Sequence, residues 1–187
     1  MFTLAHISDI HLGPMPDMSI LELMSKRITG YVNWHRNRRK QLFGDTLELL
    51  LQDLFRKSPD HLAVTGDLVN LATDIEIKAA AIWLKTFSTP ENVSVVPGNH
   101  DAYVPGALDE AMDAWRPWLT PDEPREDGHE FPYLRVRGKV ALIGLSTATA
   151  SPPFMASGYF GRNQARRFAN LLKELDDAGL FLSLIHI

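Results

Sequence analysis

Four short apolar runs, residues 2–8, 62–65, 93–96 and 181–185, recur along the chain, and each has the length of a buried strand rather than a helix. Polar side chains follow each run within three residues. Between the runs the period changes: Asp45 with Glu48, and Thr73 with Glu76, have the spacing of capping boxes and predict helices running to about Lys57 and Phe87. Residues 131–136 and 140–145, joined by Arg137, Gly138 and Lys139, predict a β-hairpin that starts a second sheet. Residues 162–178 predict a last helix, with Gly179 as its C-terminal stop. The β-α-β-α-β opening followed by a hairpin is an α/β arrangement.

The residues at the ends of the runs have the chemistry of metal ligands. Asp9 and His11 follow the first, Asp67 the second, Gly98, Asn99, His100 and Asp101 the third, and His186 the fourth. In an open parallel sheet the loops at the carboxyl ends of the strands meet in one crevice, so these residues become neighbours. Carboxylate, imidazole and amide oxygen without sulfur suit Mn, Fe, Zn or Ni better than Cu(I) or an iron–sulfur cluster. A carboxylate can bridge two ions about 3.5 to 4 Å apart, and Asp67 is the natural bridge. In extended conformation Asp9 and His11 point to the same side and can grip one ion together. Asn99 offers a neutral oxygen, His100 is free to act as a proton donor, and Asp101 can orient that imidazole. Gly66 and Gly98 fit the tight turns from which such ligands are presented.

At these residues the chain resembles the calcineurin-like metallophosphoesterases. Asp9-Ile10-His11, Gly66-Asp67-Leu68-Val69-Asn70 and Gly98-Asn99-His100-Asp101 are similar to the family's first three signature blocks, in order, and Leu184-Ile185-His186 to the start of the fourth. The stretch from Gly158 to Leu172, with Gln164, is similar to the helix that precedes the fourth block. The resemblance implies one domain over residues 1–187 with a four-layer αββα sandwich and a dinuclear centre of two divalent or trivalent transition-metal ions, Mn, Fe or Zn. It implies that Asp9, His11 and Asp67 hold the first ion, and that Asp67, Asn99 and His186 hold the second. The family's fifth block, a glycine and histidine pair, has no counterpart before Ile187, so the sandwich is expected to be incomplete at its C-terminus, as in a fragment of a longer protein. The implied reaction is hydrolysis of a phosphate ester, in which water between the ions attacks phosphorus and His100, oriented by Asp101, protonates the leaving oxygen. A catalytically silent scaffold is the alternative, and the intact Asp9, His11, Asp67, Asn99 and His100 argue against it.

Composition narrows the substrate and setting. At 187 residues, 45% hydrophobic and 22% charged, the chain can bury one core, and its lack of Cys removes thiolate and disulfide chemistry. No basic leader or long apolar stretch opens it, so a cytoplasmic location and no transmembrane segment are expected. A net charge of −4 argues against a stable nucleic-acid partner. Relatives also act on nucleic acid and lipid pyrophosphate, but the compact chain favours a small phosphorylated substrate, a phosphodiester of the cyclic-nucleotide kind. Residues 26–40 depart from the average, with Lys26, Arg27, Arg36, Arg38, Arg39 and Lys40, no acid, and Tyr31 and Trp34 interleaved. Such a stretch guides an anionic substrate, makes weak contact with an acidic membrane surface, or is a solvated helix face. Residues 148–158 form a long irregular stretch that either lines a pocket or only connects. His6, His35, His61 and His129 match no block and are assigned no chemistry, His6 reading as a hydrogen-bonded structural histidine.

Overall fold

A computed structural model describes residues 2–19, 23–36, 46–86, 89–123, 130–176 and 178–185. Its first sheet consists of β1 (Leu4–Ser8), β2 (His61–Thr65) and β3 (Val93–Val96), all parallel in that order. Ser8 pairs with Thr65 and Thr65 with Val96, so the three carboxyl ends lie level at one edge. The second sheet has β4 (Tyr133–Arg137), β5 (Val140–Gly144) and β6 (Phe181–Ile185), with β4–β5 antiparallel and β5–β6 parallel. Arg137 pairs with Val140 across Gly138 and Lys139, and Gly138 takes the left-handed φ of 61° that a two-residue hairpin demands.

The helices are α1 (Arg27–Arg36), α2 (Thr46–Lys57), α3 (Asp74–Leu84), α4 (Ala107–Leu119) and α5 (Arg162–Asp176). Thr73 and Glu76 form the expected capping box on α3, which ends at Leu84, short of the expected boundary at Phe87. Asp45 and Phe87 lie outside the described residues. The last helix stops at Asp176 and Gly179 turns the chain at φ 61°.

Alternation along the strands builds four layers. Ile7, Leu62, Val64, Val93 and Val95 face α3 and α4, where they join Ile77, Ala80, Ala111 and Trp115 in one buried cluster. Their strand neighbours Ala63 and Val96 point the other way, onto Leu142 of β5. Ala141 and Ile143 then face outward again onto Leu171 and Leu175 of α5. Each sheet is therefore covered by helices on one side and by the other sheet on its second side, as a four-layer αββα sandwich requires. Tyr133 ties the layers by donating its hydroxyl to the Val95 carbonyl at 2.7 Å.

Two histidines between the sheets each meet a hydroxyl through Nε2. His6 Nε2 meets Thr65 Oγ1 at 2.7 Å, and His61 Nε2 meets Ser94 Oγ at 2.8 Å. Burial, then the positive Arg137 and Arg135 against the opposing Asp122, hold the His61 imidazole down at about 4, so it is neutral in the fold at physiological pH. Buried Arg135 donates to the carbonyls of Pro90, Val93, Pro117 and Thr120, closing the end of α4. Among the described residues no helix is long and apolar enough to cross a membrane.

Candidate metal centre

The loops leaving β1, β2 and β3 are stitched together by main chain. Gly66 N donates to Val96 O at 2.6 Å, Asp9 N to Gly66 O at 3.2 Å, His11 N to Asp67 O at 2.9 Å, and Leu12 N to Leu68 O at 2.8 Å. Asp9, His11 and Asp67 all adopt positive φ, at 54°, 47° and 52°. Non-glycine residues pay for that conformation, and three of them at one sheet edge mark a functional site. The expectation of an extended Asp9–His11 pair is corrected: β1 ends at Ser8, and the left-handed turns let Ile10 enter the core between the two polar residues. Gly98 is required by close approach, since a Cβ there would overlap the Asp67 carboxylate and lie 2.6 Å from Asp67 N.

On this frame the ligand atoms of His11, Asp67 and His100 lie within 4.8 Å of one another. Asp67 is buried; its Oδ1 accepts from His100 N at 2.8 Å and its Oδ2 lies 3.8 Å from His11 Nε2. Both imidazoles are held through Nδ1, His11 against Val69 O at 3.1 Å and His100 against Asn70 O at 2.5 Å. A carbonyl can only accept, so each Nδ1 carries hydrogen, and Nε2 is the ring atom that a neutral imidazole offers to a metal. A buried carboxylate facing two such nitrogens fits a bound cation, because a buried negative charge without a positive partner is costly. Asn70 adds a carboxamide Oδ1 that is buried without a hydrogen-bond partner, while its Nδ2 donates to Leu12 O at 3.0 Å. Asp9 is exposed beside this group and outside the 4.8 Å cluster. His186 lies outside the described residues.

Asp101 does something other than orient His100. Its Oδ1 accepts from Val69 N at 3.1 Å and its Oδ2 from Gly98 N at 2.8 Å, fastening the loop after β3 to the loop after β2. Its full burial pushes the carboxyl up to about 7; the Gly98 N–H opposes that push, and the charge of Asp67 adds to it. Orientation of His100 falls instead to the Asn70 carbonyl. Glu76 completes this support: Oε1 accepts from Asn70 N at 3.0 Å, and Oε2 from Leu71 N at 3.2 Å and Thr73 N at 3.0 Å. The Thr73–Glu76 spacing signalled the cap, but nothing in it signalled the grip on Asn70.

A pocket of about 440 Å³ opens beside Asn99 and His100, walled by Tyr103, by Asn33 and Trp34 of α1, and by Phe154 and Met155. Tyr103 stacks on His100 with ring centroids 5.4 Å apart. Gly30 lets α1 press against Tyr103 and Leu71, where a Cβ would collide with both. The basic segment is not simply a solvated face: Lys26 donates to Ser151 O at 2.8 Å over the Tyr103 ring, and Arg27 Nε donates to Leu71 O at 3.0 Å. Arg38, Arg39 and Lys40 lie outside the described residues. Residues 154–156 line the pocket rather than merely connecting.

The sequence matches the family model for calcineurin-like phosphoesterases over residues 2–170. No individually curated protein matches it. The match carries metal-dependent phosphoester hydrolysis as the family's general chemistry, in keeping with the cluster of His11, Asp67 and His100. Because the match runs through all three strand tips and the loops they carry, the chain belongs to the calcineurin-like phosphoesterase family.

Proposed function

We propose that the protein hydrolyses a small phosphodiester at a centre of two divalent or trivalent transition-metal ions, Mn, Fe or Zn. The observation that carries this reading is the convergence of His11, Asp67 and His100 within 4.8 Å at the mouth of a pocket. Asp67 with Asp9 and His11 would hold one ion, and Asp67 with Asn99 and His186 would hold the other. Metal held by these residues would supply an acidified water and would draw charge from the phosphoryl oxygens.

The chain's own groups supply the rest. His100, braced through Nδ1 by the Asn70 carbonyl, presents Nε2 toward the pocket and, when protonated, passes that proton to the leaving oxygen. Tyr103 on the face of the ring restricts its rotation. Space of about 440 Å³ exceeds what a phosphate alone needs, which supports an ester with organic groups on it.

Metal content and turnover of bis(4-nitrophenyl) phosphate against 4-nitrophenyl phosphate test the reading. The diester is expected to be cleaved faster, with activity lost to a chelator and restored by Mn²⁺ or Zn²⁺. A preference for the monoester rejects the diester assignment, and two bound ions with neither substrate cleaved points to a scaffold.

A further inference from the structure

The wall of the pocket away from the metal ligands is apolar and open. Ile28, Val32 and Phe154, with Thr29, enclose a second hollow of about 270 Å³, and Thr29 and Phe154 line the main pocket as well. The two hollows therefore adjoin at Thr29 and Phe154. Ile28 is 50% exposed, Val32 41% and Phe154 93%, a concentration of surface hydrocarbon that soluble domains ordinarily avoid unless it binds something.

The rim is held in place rather than merely left bare. Phe154 takes a φ of 66°, a conformation that a bulky side chain adopts only at a cost, and it packs against little that would repay it. Lys26 fixes the loop by donating to Ser151 O at 2.8 Å, and Ser151 Oγ donates in turn to Met155 O at 2.6 Å. Asn70 and Asn99 line the pocket from the metal-side loops, and the exposed hydrocarbon of Ile28, Val32 and Phe154 borders the neighbouring hollow along α1. Amide groups beside the phosphate position with hydrocarbon next to them suit an amphiphile.

We propose that the groove between Ile28, Val32 and Phe154 holds an alkyl chain of the substrate, so that the preferred esters are amphiphilic phosphodiesters. The phosphate lies at the His11–Asp67–His100 cluster, the polar part of the organic group in the main pocket, and the hydrocarbon along α1. The inference rests on the phosphoesterase reading, and its test separates the two.

Binding of octyl phosphate and methyl phosphate to the metal-loaded chain is measured by calorimetry below micelle-forming concentration. Turnover of octyl and methyl 4-nitrophenyl phosphate is measured in parallel. Octyl phosphate is expected to bind at least about tenfold more tightly, as burial of several methylenes requires, and the octyl diester to show a similar advantage in kcat/KM. Phe154→Ser and Ile28→Ser, at exposed positions that the fold tolerates, are expected to bring the octyl-to-methyl ratio close to one. Equal affinities in the parent chain, a ratio unchanged in both variants, or a gain seen only with anionic lipid vesicles overturns the groove assignment. If neither diester is cleaved but octyl phosphate still binds preferentially through Ile28 and Phe154, the hydrolase reading falls and the groove remains a ligand site.

Discussion

The two sides of the pocket are built by different means. The metal side is main chain: Gly66 N on Val96 O, His11 N on Asp67 O, and the carboxylates of Asp101 and Glu76 gripping backbone N–H groups. The opposite side is side chain: Lys26 reaching to Ser151, Arg27 to Leu71, and Gly30 leaving room for Tyr103. Reaction geometry tolerates little displacement, and backbone ladders at a sheet edge give that precision. A helix held by long side chains can drift in sequence without dismantling the metal side. The two sides can thus be altered one at a time.

The largest separation is expected from Asp67→Asn. The amide keeps the volume and an acceptor for His100 N, so the fold survives, but the charge that draws a cation is gone. Changing a residue that only braces a metal ligand already costs about 10- to 100-fold, so loss of the proposed bridging carboxylate is expected to lower kcat/KM by at least about 100-fold, with bound metal falling in parallel. Normal turnover with two ions per chain would refute the role given to Asp67.

That difference in construction also explains what the sequence revealed. The four apolar runs, the metal-ligand residue types just after them, the Thr73–Glu76 cap and the Gly138 turn follow from rules spanning a few residues, and all are legible without a structure. Asp101 misled because it is adjacent to His100, whereas in a tight turn neighbouring side chains diverge, and its carboxylate found two backbone donors instead. The helix α4 starts without the capping side chain that announces α3, since Gly106 stands at its N-terminus at φ 86° and makes no side-chain cap, and the carbonyls at its other end are satisfied by Arg135 from another sheet. Tyr103 against Gly30, and Lys26 against Ser151, are pairings between segments far apart in sequence, and no local pattern encodes them.

Adding one methyl group to each side sharpens the contrast. At Gly98 the new Cβ meets Asp67 N at 2.6 Å and the Gly66 backbone at 2.9 Å, neither of which can move without breaking the ladder. Gly98→Ala is expected to cost about 3 kcal/mol, the upper end for overpacking, and to lose metal as well. At Gly30 the obstacles are the Leu71 side chain and the Tyr103 ring, which can rotate, and alanine returns up to about 1 kcal/mol of helix propensity. Gly30→Ala is therefore expected to lose less than about 1 kcal/mol while KM rises through the displaced Tyr103. Urea midpoints measure the stabilities, and equal losses in the two variants would erase the distinction between rigid and adaptable sides.

The smallest effect is expected from Lys26→Ala, and it isolates the adaptable side. Removing the ammonium deletes the bond to Ser151 O and the contact 4.5 Å above the Tyr103 ring. A partly exposed site of this kind contributes about 1 kcal/mol. The loop bearing Phe154 is then less firmly placed, so KM is expected to rise about threefold, with kcat and metal content nearly unchanged. Alkaline titration gives an independent check of the same contact. Burial holds the Lys26 pKa below the ordinary 10.5, so its charge is lost before that of surface lysines. As pH approaches 10.5 from below, KM of the parent chain should climb toward that of the variant, whose own KM lacks this step. Parallel profiles for the two proteins would mean that Lys26 does not hold the wall, and that the loop bearing Phe154 is placed by its own backbone instead.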